Sequence, residues 1–454
     1  MKHFLTIIAL ALSITLKAQQ VDPNFEKGLI KFNQNDFQAS VELFTKSIKQ
    51  SPTNLAYYKR AKAYQRLGSY DAALNDINQI LLKEPLNKEA IDSKTLLYYL
   101  KDDYKSMADN IKRNINNGIE TEHNSRFYLA IAYEELGKTD SSSILLELHL
   151  KQKPDDVDAL SYRSGLSIVK LEFDSALADL DKIIKLDTTY KDAYFSRGFA
   201  KTLMGQYSVA LPDLDKAEKL GFEDLTLIFE TRGDAYKELG DSLKAASEYD
   251  KALNQANGPD YELMIKRAKL AYYQFDDNQT AFDLMTRVIQ GSKELTAEVY
   301  YIRACSAREL KKLEQSEADF KKYAELAPKS RAHYIQWAYL KAEQMDWPKV
   351  MEYSNEYLKG QKVPSFGKSV ALSLIGKALY EQKSIIEATK TLEEALKLDD
   401  ENPDAHFWLA KIFIELNKAD EACEHFVKAY ELGHLAAKDE LMNHCDYAED
   451  DFEE

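Results

Sequence analysis

At 454 residues with 45% hydrophobic side chains, the chain is long and apolar enough to bury a substantial core, which excludes a disordered polymer. Its formal net charge is −15, from 60 Lys+Arg against 75 Asp+Glu, and no Lys/Arg-rich cluster stands out. Nucleic acid and anionic membrane surfaces are therefore poor partners, because both demand a basic face.

In chain order, Lys2 and His3 precede an apolar run from Phe4 to Leu16, after which Lys17-Ala18-Gln19 turns polar. The run is 13 residues long, short of the roughly 20 a membrane-spanning helix requires. It reads as a secretory signal peptide, residues 1–18, with cleavage near Ala18. No Cys lies nearby to accept a lipid, and no second apolar run follows. The expected location is periplasmic or secreted, and the Ala-Gln-Gln junction resembles exported proteins of Bacteroidetes.

From residue 19 onward the chain repeats itself. Asp158-Ala159-Leu160 begins a segment ending Ala176-Leu177-Ala178-Asp179-Leu180-Asp181-Lys182. Asp192-Ala193-Tyr194 begins a second, ending Ala210-Leu211-Pro212-Asp213-Leu214-Asp215-Lys216, at an offset of 34. Each period predicts two helices. The first carries a small residue among apolar and aromatic ones, as in Leu129-Ala130-Ile131-Ala132-Tyr133. A turn such as Leu67-Gly68-Ser69, Leu136-Gly137-Lys138 or Leu239-Gly240-Asp241 follows. The second helix then places a small residue four positions before an apolar one, as Ala73 with Ile77 or Ala176 with Leu180, which puts both on one face. Pro52, Pro85, Pro154 and Pro328 close periods, since proline cannot continue a helix interior.

These motifs resemble tetratricopeptide repeats, tandem helix hairpins of about 34 residues. The small residue of the first helix stands as Gly28, Ala61, Ala130, Gly198, Gly233, Ala268, Ala304, Ala338, Gly376 and Ala410. Its partner on the second stands as Ser40, Ala73, Ser142, Ala176, Ala210, Ala245, Ala281, Ser316, Ala388 and Ala422. Around Ile91–Asn117 a degenerate unit has Thr95 and Met107 in these places, and Ala281 is one residue out of step. The resemblance implies an all-α fold, an α-solenoid (right-handed superhelix) of about twelve helix-turn-helix repeats over residues 19–433.

Arg60 and Asp76, Arg163 and Asp179, Arg197 and Asp213, Arg232 and Glu248, and Arg303 and Asp319 are each 16 residues apart, joining the two helices of a unit. Arg267 and Asp283 keep the spacing beside the local insertion. One pair repeated along an array reads as an ion pair that closes each hairpin, worth ~0–1 kcal/mol where solvent-exposed. Motifs that carry a reaction or a cofactor are lacking: no phosphate loop, H-E-x-x-H, G-x-S-x-G or EF-hand loop. No enzyme and no cofactor is expected.

In tetratricopeptide proteins the first helices line a concave groove. The matching stripe here is Phe25, Phe32, Tyr58, Tyr99, Phe127, Phe195, Phe199, Tyr272, Tyr273, Tyr301, Tyr339, Tyr380 and Phe407. Glu134, Glu135, Glu309, Glu343, Lys377 and Lys411 interleave with it. Some members clamp a chaperone tail's carboxylate with Lys and Asn. Here Tyr58, Lys62, Asp92 and Leu96 stand at the corresponding places, which argues against that role. The implied function is a non-enzymatic scaffold or adaptor holding protein or peptide partners in the groove. The alternatives are an exported chaperone-like holdase and a glycan- or peptidoglycan-binding accessory.

The last stretch gathers Cys423, His425, His434, His444 and Cys445 within 23 residues. No familiar metal-ligand spacing fits them. With a turn at Leu432-Gly433-His434, Cys423 and Cys445 lie side by side and form the candidate disulfide. Residues 434–454 read as a capping helix followed by an acidic tail.

Overall fold

The computed structural model describes residues 22–119, 125–360, 363–445 and 447. The signal-peptide reading and most of the acidic tail fall outside these residues. Among the described residues there are 25 helices and no strand. They group into two compact units, divided after Met204.

Unit 1 contains α1 (Pro23–Asn33), α2 (Phe37–Gln50), α3 (Asn54–Arg66), α4 (Tyr70–Lys83), α5 (Lys88–Leu100), α6 (Tyr104–Asn116), α7 (Ser125–Glu135), α8 (Thr139–Gln152), α9 (Val157–Val169), α10 (Phe173–Leu186) and α11 (Lys191–Leu203). Unit 2 contains α12 (Tyr207–Lys219), α13 (Leu225–Glu238), α14 (Ser242–Gln255), α15 (Tyr261–Phe275), α16 (Asn278–Gly291), α17 (Ala297–Glu309), α18 (Leu313–Leu326) and α19 (Ala332–Glu343). It continues with α20 (Trp347–Leu358), α21 (Ser365–Glu381), α22 (Ile385–Leu398), α23 (Pro403–Glu415), α24 (Ala419–Glu431) and α25 (Ala437–His444). Within each unit successive helices pack as neighbours, so each is an all-α helical-repeat array.

The local chemistry is repetitive. Asp22, Asp36, Thr53, Asn87, Asp103 and Asp156 each cap a helix by accepting a hydrogen bond from a first-turn amide. The turn inside each hairpin holds one residue with positive φ. Glycine fills it at Gly68, Gly137, Gly205 and Gly240. Asn35, Asp102, Leu171, Asp276, Lys311, Met345, Lys383 and Asn417 fill the others. The left-handed residue lets the chain reverse while the following amide closes the last helical turn, as Ser69 N–H does on Tyr64 O at 2.9 Å and Asp103 N–H on Tyr98 O at 2.9 Å. From the residues alone only the glycine turns are apparent. The repeat imposes the conformation even on Leu171, at a local steric cost of about 1–2 kcal/mol.

The small residues of the first helices exist to admit a large neighbour. A Cβ on Gly233 would lie 2.4 Å from the Tyr249 ring, and one on Gly28 would lie 2.7 Å from Phe44. Tyr249 and Phe44 are fully buried. Where the partner small residue is serine it also bonds: Ser40, Ser142 and Ser316 Oγ–H donate to Gly28 O, Ala130 O and Ala304 O at 3.0, 2.8 and 2.8 Å. Ser164 and Val350, both buried, complete the pairs with Ala176 and Ala338. Met107 is buried in the degenerate unit.

The recurrent ion pairs form, but not as exposed ones. Arg60 holds Asp76 at 2.6 and 2.8 Å, Arg163 holds Asp179 at 2.7 Å twice, and Arg303 holds Asp319 at 2.7 Å twice. Asp76, Asp179 and Asp319 are all buried, so the surface value of ~0–1 kcal/mol does not apply to them. Arg232 bonds Glu248 at 2.8 Å and also reaches Asp215 and Glu218. Arg197 bonds Asp181 at 2.7 Å. Arg267 is a correction: it bonds Asp250 at 2.9 Å, and Asp283 accepts instead from Gln279. Helix α15 runs 15 residues against 14 in α13 and 13 in α17, so its pairing register is displaced.

Candidate functional site

Three odd-numbered helices of unit 1, α5, α7 and α9, present neighbouring side chains. They line two cavities that meet at Tyr128. The larger, about 510 Å³, is lined by Tyr99, Phe127, Tyr128, Ile131, Asp158, Ser161, Tyr162, Gly165, Leu166 and Tyr190. The smaller, about 290 Å³, also draws on α3 and is lined by Tyr58, Lys62, Glu89, Asp92, Ser93, Thr95, Leu96, Ser125 and Tyr128. The rings touch in series. Tyr99 meets Tyr128 at 6.3 Å, Tyr128 meets Phe127 at 5.7 Å, and Phe127 meets Tyr162 edge-on at 5.9 Å. Such tilted and edge contacts fix the rings against one another.

The trough is acidic as well as aromatic. Burial raises the Tyr128 hydroxyl above its ordinary range, and the Asp158 carboxylate adds to the shift. Burial does the same to Tyr162, with Glu134 and Glu135 adding their charge. Tyr104, 6.5 Å from Tyr99, is pushed up to about 12 by burial and by donating to Asp102 at 3.0 Å. Burial and then Arg66 lower the Lys62 ammonium, whose Nζ lies 5.5 Å from the centre of the Tyr58 ring.

Of the thirteen aromatic candidates, Tyr58, Tyr99 and Phe127 line this trough, and Tyr339 lines a smaller cavity in unit 2. The others pack. Phe25 lies 5.5 Å from Phe44, Phe32 meets Phe37 edge-on, and Phe195 stacks on Phe199 at 5.9 Å. Tyr301 lies against Phe320 and Tyr323, and Tyr272 meets Tyr273 at 4.8 Å, leaving Tyr273 exposed. Tyr380 is buried against Trp408 and donates to Glu415 at 2.7 Å. Phe407 belongs to the core, stacked on His434 and edge-on to Phe426. Sequence reasoning missed Tyr128, Tyr162 and Tyr190. The signal for two of them was available: Tyr128 and Tyr162 stand two residues before Ala130 and Ser164, and Trp408 stands two before Ala410.

One unit 2 cavity, about 150 Å³, is lined by Tyr339, Ala342, Glu343, Ser373, Leu374, Lys377, Asp404 and Trp408, and a larger one, about 520 Å³, opens beside Cys423 and Lys428. The rings of the smaller already carry cations: Lys377 Nζ lies 4.9 Å from the Trp408 ring and Arg308 lies 5.0 Å from Tyr339.

At the C-terminal end Cys423 and Cys445 are joined as a disulfide, with Cα atoms 5.6 Å apart. Ala437 and Leu441 of α25 are buried against Phe426 and Ala429. His425 pairs with His406, Nδ1 to Nδ1 at 2.7 Å. His406 Nε2 donates to Asp400 O at 3.0 Å, so in the neutral pair His425 supplies the shared proton. Burial and then His406 lower His425 to about 4. His434 lies 3.4 Å from Asp404 and His444 lies 3.5 Å from Glu440. Among the described residues no group of three or more ligand-type side chains gathers around a metal-sized site.

The fold and trough define a helical-repeat protein with the chemistry of a binding surface. Sequence models described as tetratricopeptide repeats match residues 25–90, 297–330, 376–417 and 403–432. The chain therefore carries tetratricopeptide repeats in both units. A TPR repeat-containing protein of Methanocaldococcus jannaschii is 22% identical over 279 residues, 57% of this chain and 47% of that protein. Sperm-associated antigen 1 of Homo sapiens is 36% identical over 73 residues, 16% of this chain and 8% of that one. The chain thus spans about half the length of the first relative and under a tenth of the second. The solved C-terminal part of a TPR repeat-containing protein from Cytophaga hutchinsonii is 15% identical, covering 55% of this chain and 99% of that structure at a TM-score of 0.43. Among the described residues no helix is long and apolar enough to cross a membrane.

Proposed function

We propose that the protein is an exported, non-enzymatic scaffold that holds a segment of a partner protein in the unit 1 trough. The observation that carries this reading is the series of rings running through two cavities that meet at Tyr128. Rigid aromatic side chains offer large contact area at small entropic cost, which suits them to anchoring a chain segment. Tetratricopeptide repeats serve protein–protein contact in general, and the acidic composition leaves nucleic acid aside. Export rests on residues 1–18 and places the chain in the periplasm or outside the cell.

The test is capture from an envelope fraction by the full chain and by Tyr162→Ala. One or two stoichiometric partners, lost with the variant, support the scaffold. A broad smear of clients points to a holdase, and sedimentation with cell-wall material points to glycan binding. N-terminal sequencing that finds Met1 retained on a cytosolic protein removes the export claim.

A further inference from the structure

We propose that the segment held in the unit 1 trough is an extended stretch of partner chain bearing lysine or arginine. This rests on the scaffold reading and names the chemistry of its occupant.

Charge gives the first argument. Glu89, Asp92 and Asp158 line the two cavities, and Lys62 is the one basic side chain among the lining residues. The carboxylates of Glu134 and Glu135 add to the same field at Tyr162. A segment that brings cations is drawn by this field, and an acidic segment is repelled by it.

The rings give the second. A cation over a tyrosine face is attracted by the ring's quadrupole, and more strongly where water is thinned out. Among the described residues no lysine or arginine of the chain lies over Tyr99, Tyr128 or Tyr162, whereas every other ring cluster described above that faces a cavity has one. Lys62 sits over Tyr58, Arg308 over Tyr339 and Lys377 over Trp408. Those three contacts display, within the molecule, the pose the open rings lack.

Spacing gives the third. Rings from successive first helices lie 6.3 Å apart at Tyr99 and Tyr128 and 5.9 Å apart at Phe127 and Tyr162, a step of about two residues of extended chain. An extended segment can therefore set successive cationic side chains over the rings of successive first helices. A neutral glycan would use the rings but give the carboxylates no counter-charge.

Gly165 supplies the test. It lies on the trough floor in α9, and a Cβ there meets nothing within 4 Å. Gly165→Lys places a cation where unit 2 has Lys377: both stand one residue after their small positions, Ser164 and Gly376. The full chain is titrated by fluorescence anisotropy with three labelled 12-residue peptides on one Gly/Ser/Pro frame, carrying four Lys/Arg, four Glu or neither. The basic peptide should bind at least ~10-fold tighter than the others, and weaken with salt. Gly165→Lys should cost at least ~10-fold and Asp158→Asn ~3–5-fold, with Gly165→Ala near the parent. Circular dichroism should be the same for all variants. Equal binding of the three peptides overturns the proposal, as does an unchanged affinity in Gly165→Lys or displacement of the probe by chitohexaose. If the basic probe fails while Tyr162→Ala still strips the captured envelope partner, the occupant is misassigned and the scaffold reading stands. If Tyr162→Ala strips nothing, the scaffold reading itself falls.

Discussion

The two units carry the same hairpins but treat their aromatic side chains differently. In unit 1 the rings of Tyr99, Tyr128 and Tyr162 border cavities of about 510 and 290 Å³ beside Asp158 and Glu89. In unit 2 Tyr339 and Trp408 border about 150 Å³ and are covered by Arg308 and Lys377. The residue one place after the small position decides much of this. It is Lys62, Ile131 and Gly165 in unit 1, and Tyr339 and Lys377 in unit 2.

The ion pairs differ in burial as well, and the largest expected effect lies there. Arg303 and Asp319 are both buried, whereas Arg163 is about a third exposed over its buried partner Asp179. Asp319→Ala leaves a guanidinium without its counter-charge inside unit 2 and should cost about 3–5 kcal/mol in urea denaturation. Asp179→Ala should cost about 1–2 kcal/mol, because water reaches Arg163. Equal losses would erase the distinction.

Next in size is a pair of identical substitutions with opposite signs. Gly233→Ala drives a methyl into the Tyr249 ring, which has no room to move, and should lower stability by about 1–3 kcal/mol. Gly165→Ala meets open space in mid-helix and should raise it by up to about 1 kcal/mol. Thermal melts of the two variants check the sign.

Acid should separate the units more gently. His425 has its folded pKa lowered to about 4, so between the unfolded value near 6.5 and about pH 4 the unfolded chain binds the proton and the folded one does not. Its contribution is present above 6.5 and lost as pH falls through that window. The group is partly open to water, so the expected loss is about 1 kcal/mol, and His425→Asn should flatten the slope. Asp156 of unit 1 behaves otherwise. Burial raises its pKa, but the hydrogen bonds from His149 and the Ala159 amide outweigh this and hold it below 3.8. Its contribution survives to that pH and is lost only as pH falls through the depressed folded pKa. A melting temperature that is flat from pH 6.5 to 4 would refute the histidine assignment.

The smallest effect should be the same in both units. Leu171→Gly and Met345→Gly each relieve an exposed left-handed turn residue and should gain about 0.5 kcal/mol, the steric relief being partly offset by glycine's chain entropy. Unequal gains would mean that the two turns are not equivalent.

Much of the fold was legible because it repeats. A small residue on the first helix, a small residue four before an apolar one on the second and an Arg–acid pair 16 residues apart recur often enough to be read directly. The turns were legible only where glycine stood. Leu171 and Met345 adopt the same backbone because the flanking helices dictate it, and nothing in those side chains announces a positive φ. Arg267 shows the converse failure, since a 16-residue spacing persists across a lengthened helix while the partner has moved to Asp250.

For the candidate site, the sequence alone determined which helices contribute and that aromatic rings would be plentiful on them. It could not say which rings remain open. Phe407, Tyr380 and Phe195 carry the same pattern as Tyr58 and Phe127, yet Phe407 and Tyr380 are enclosed by His434, Phe426 and Trp408 from neighbouring helices. Exposure of a ring is set by what the adjacent repeats place beside it, a property of packing between helices far apart along the chain. The helical period and the hairpin pairs are local and were written in the residues. The acidic trough at Tyr128 and Tyr162 arises only when several first helices stand side by side.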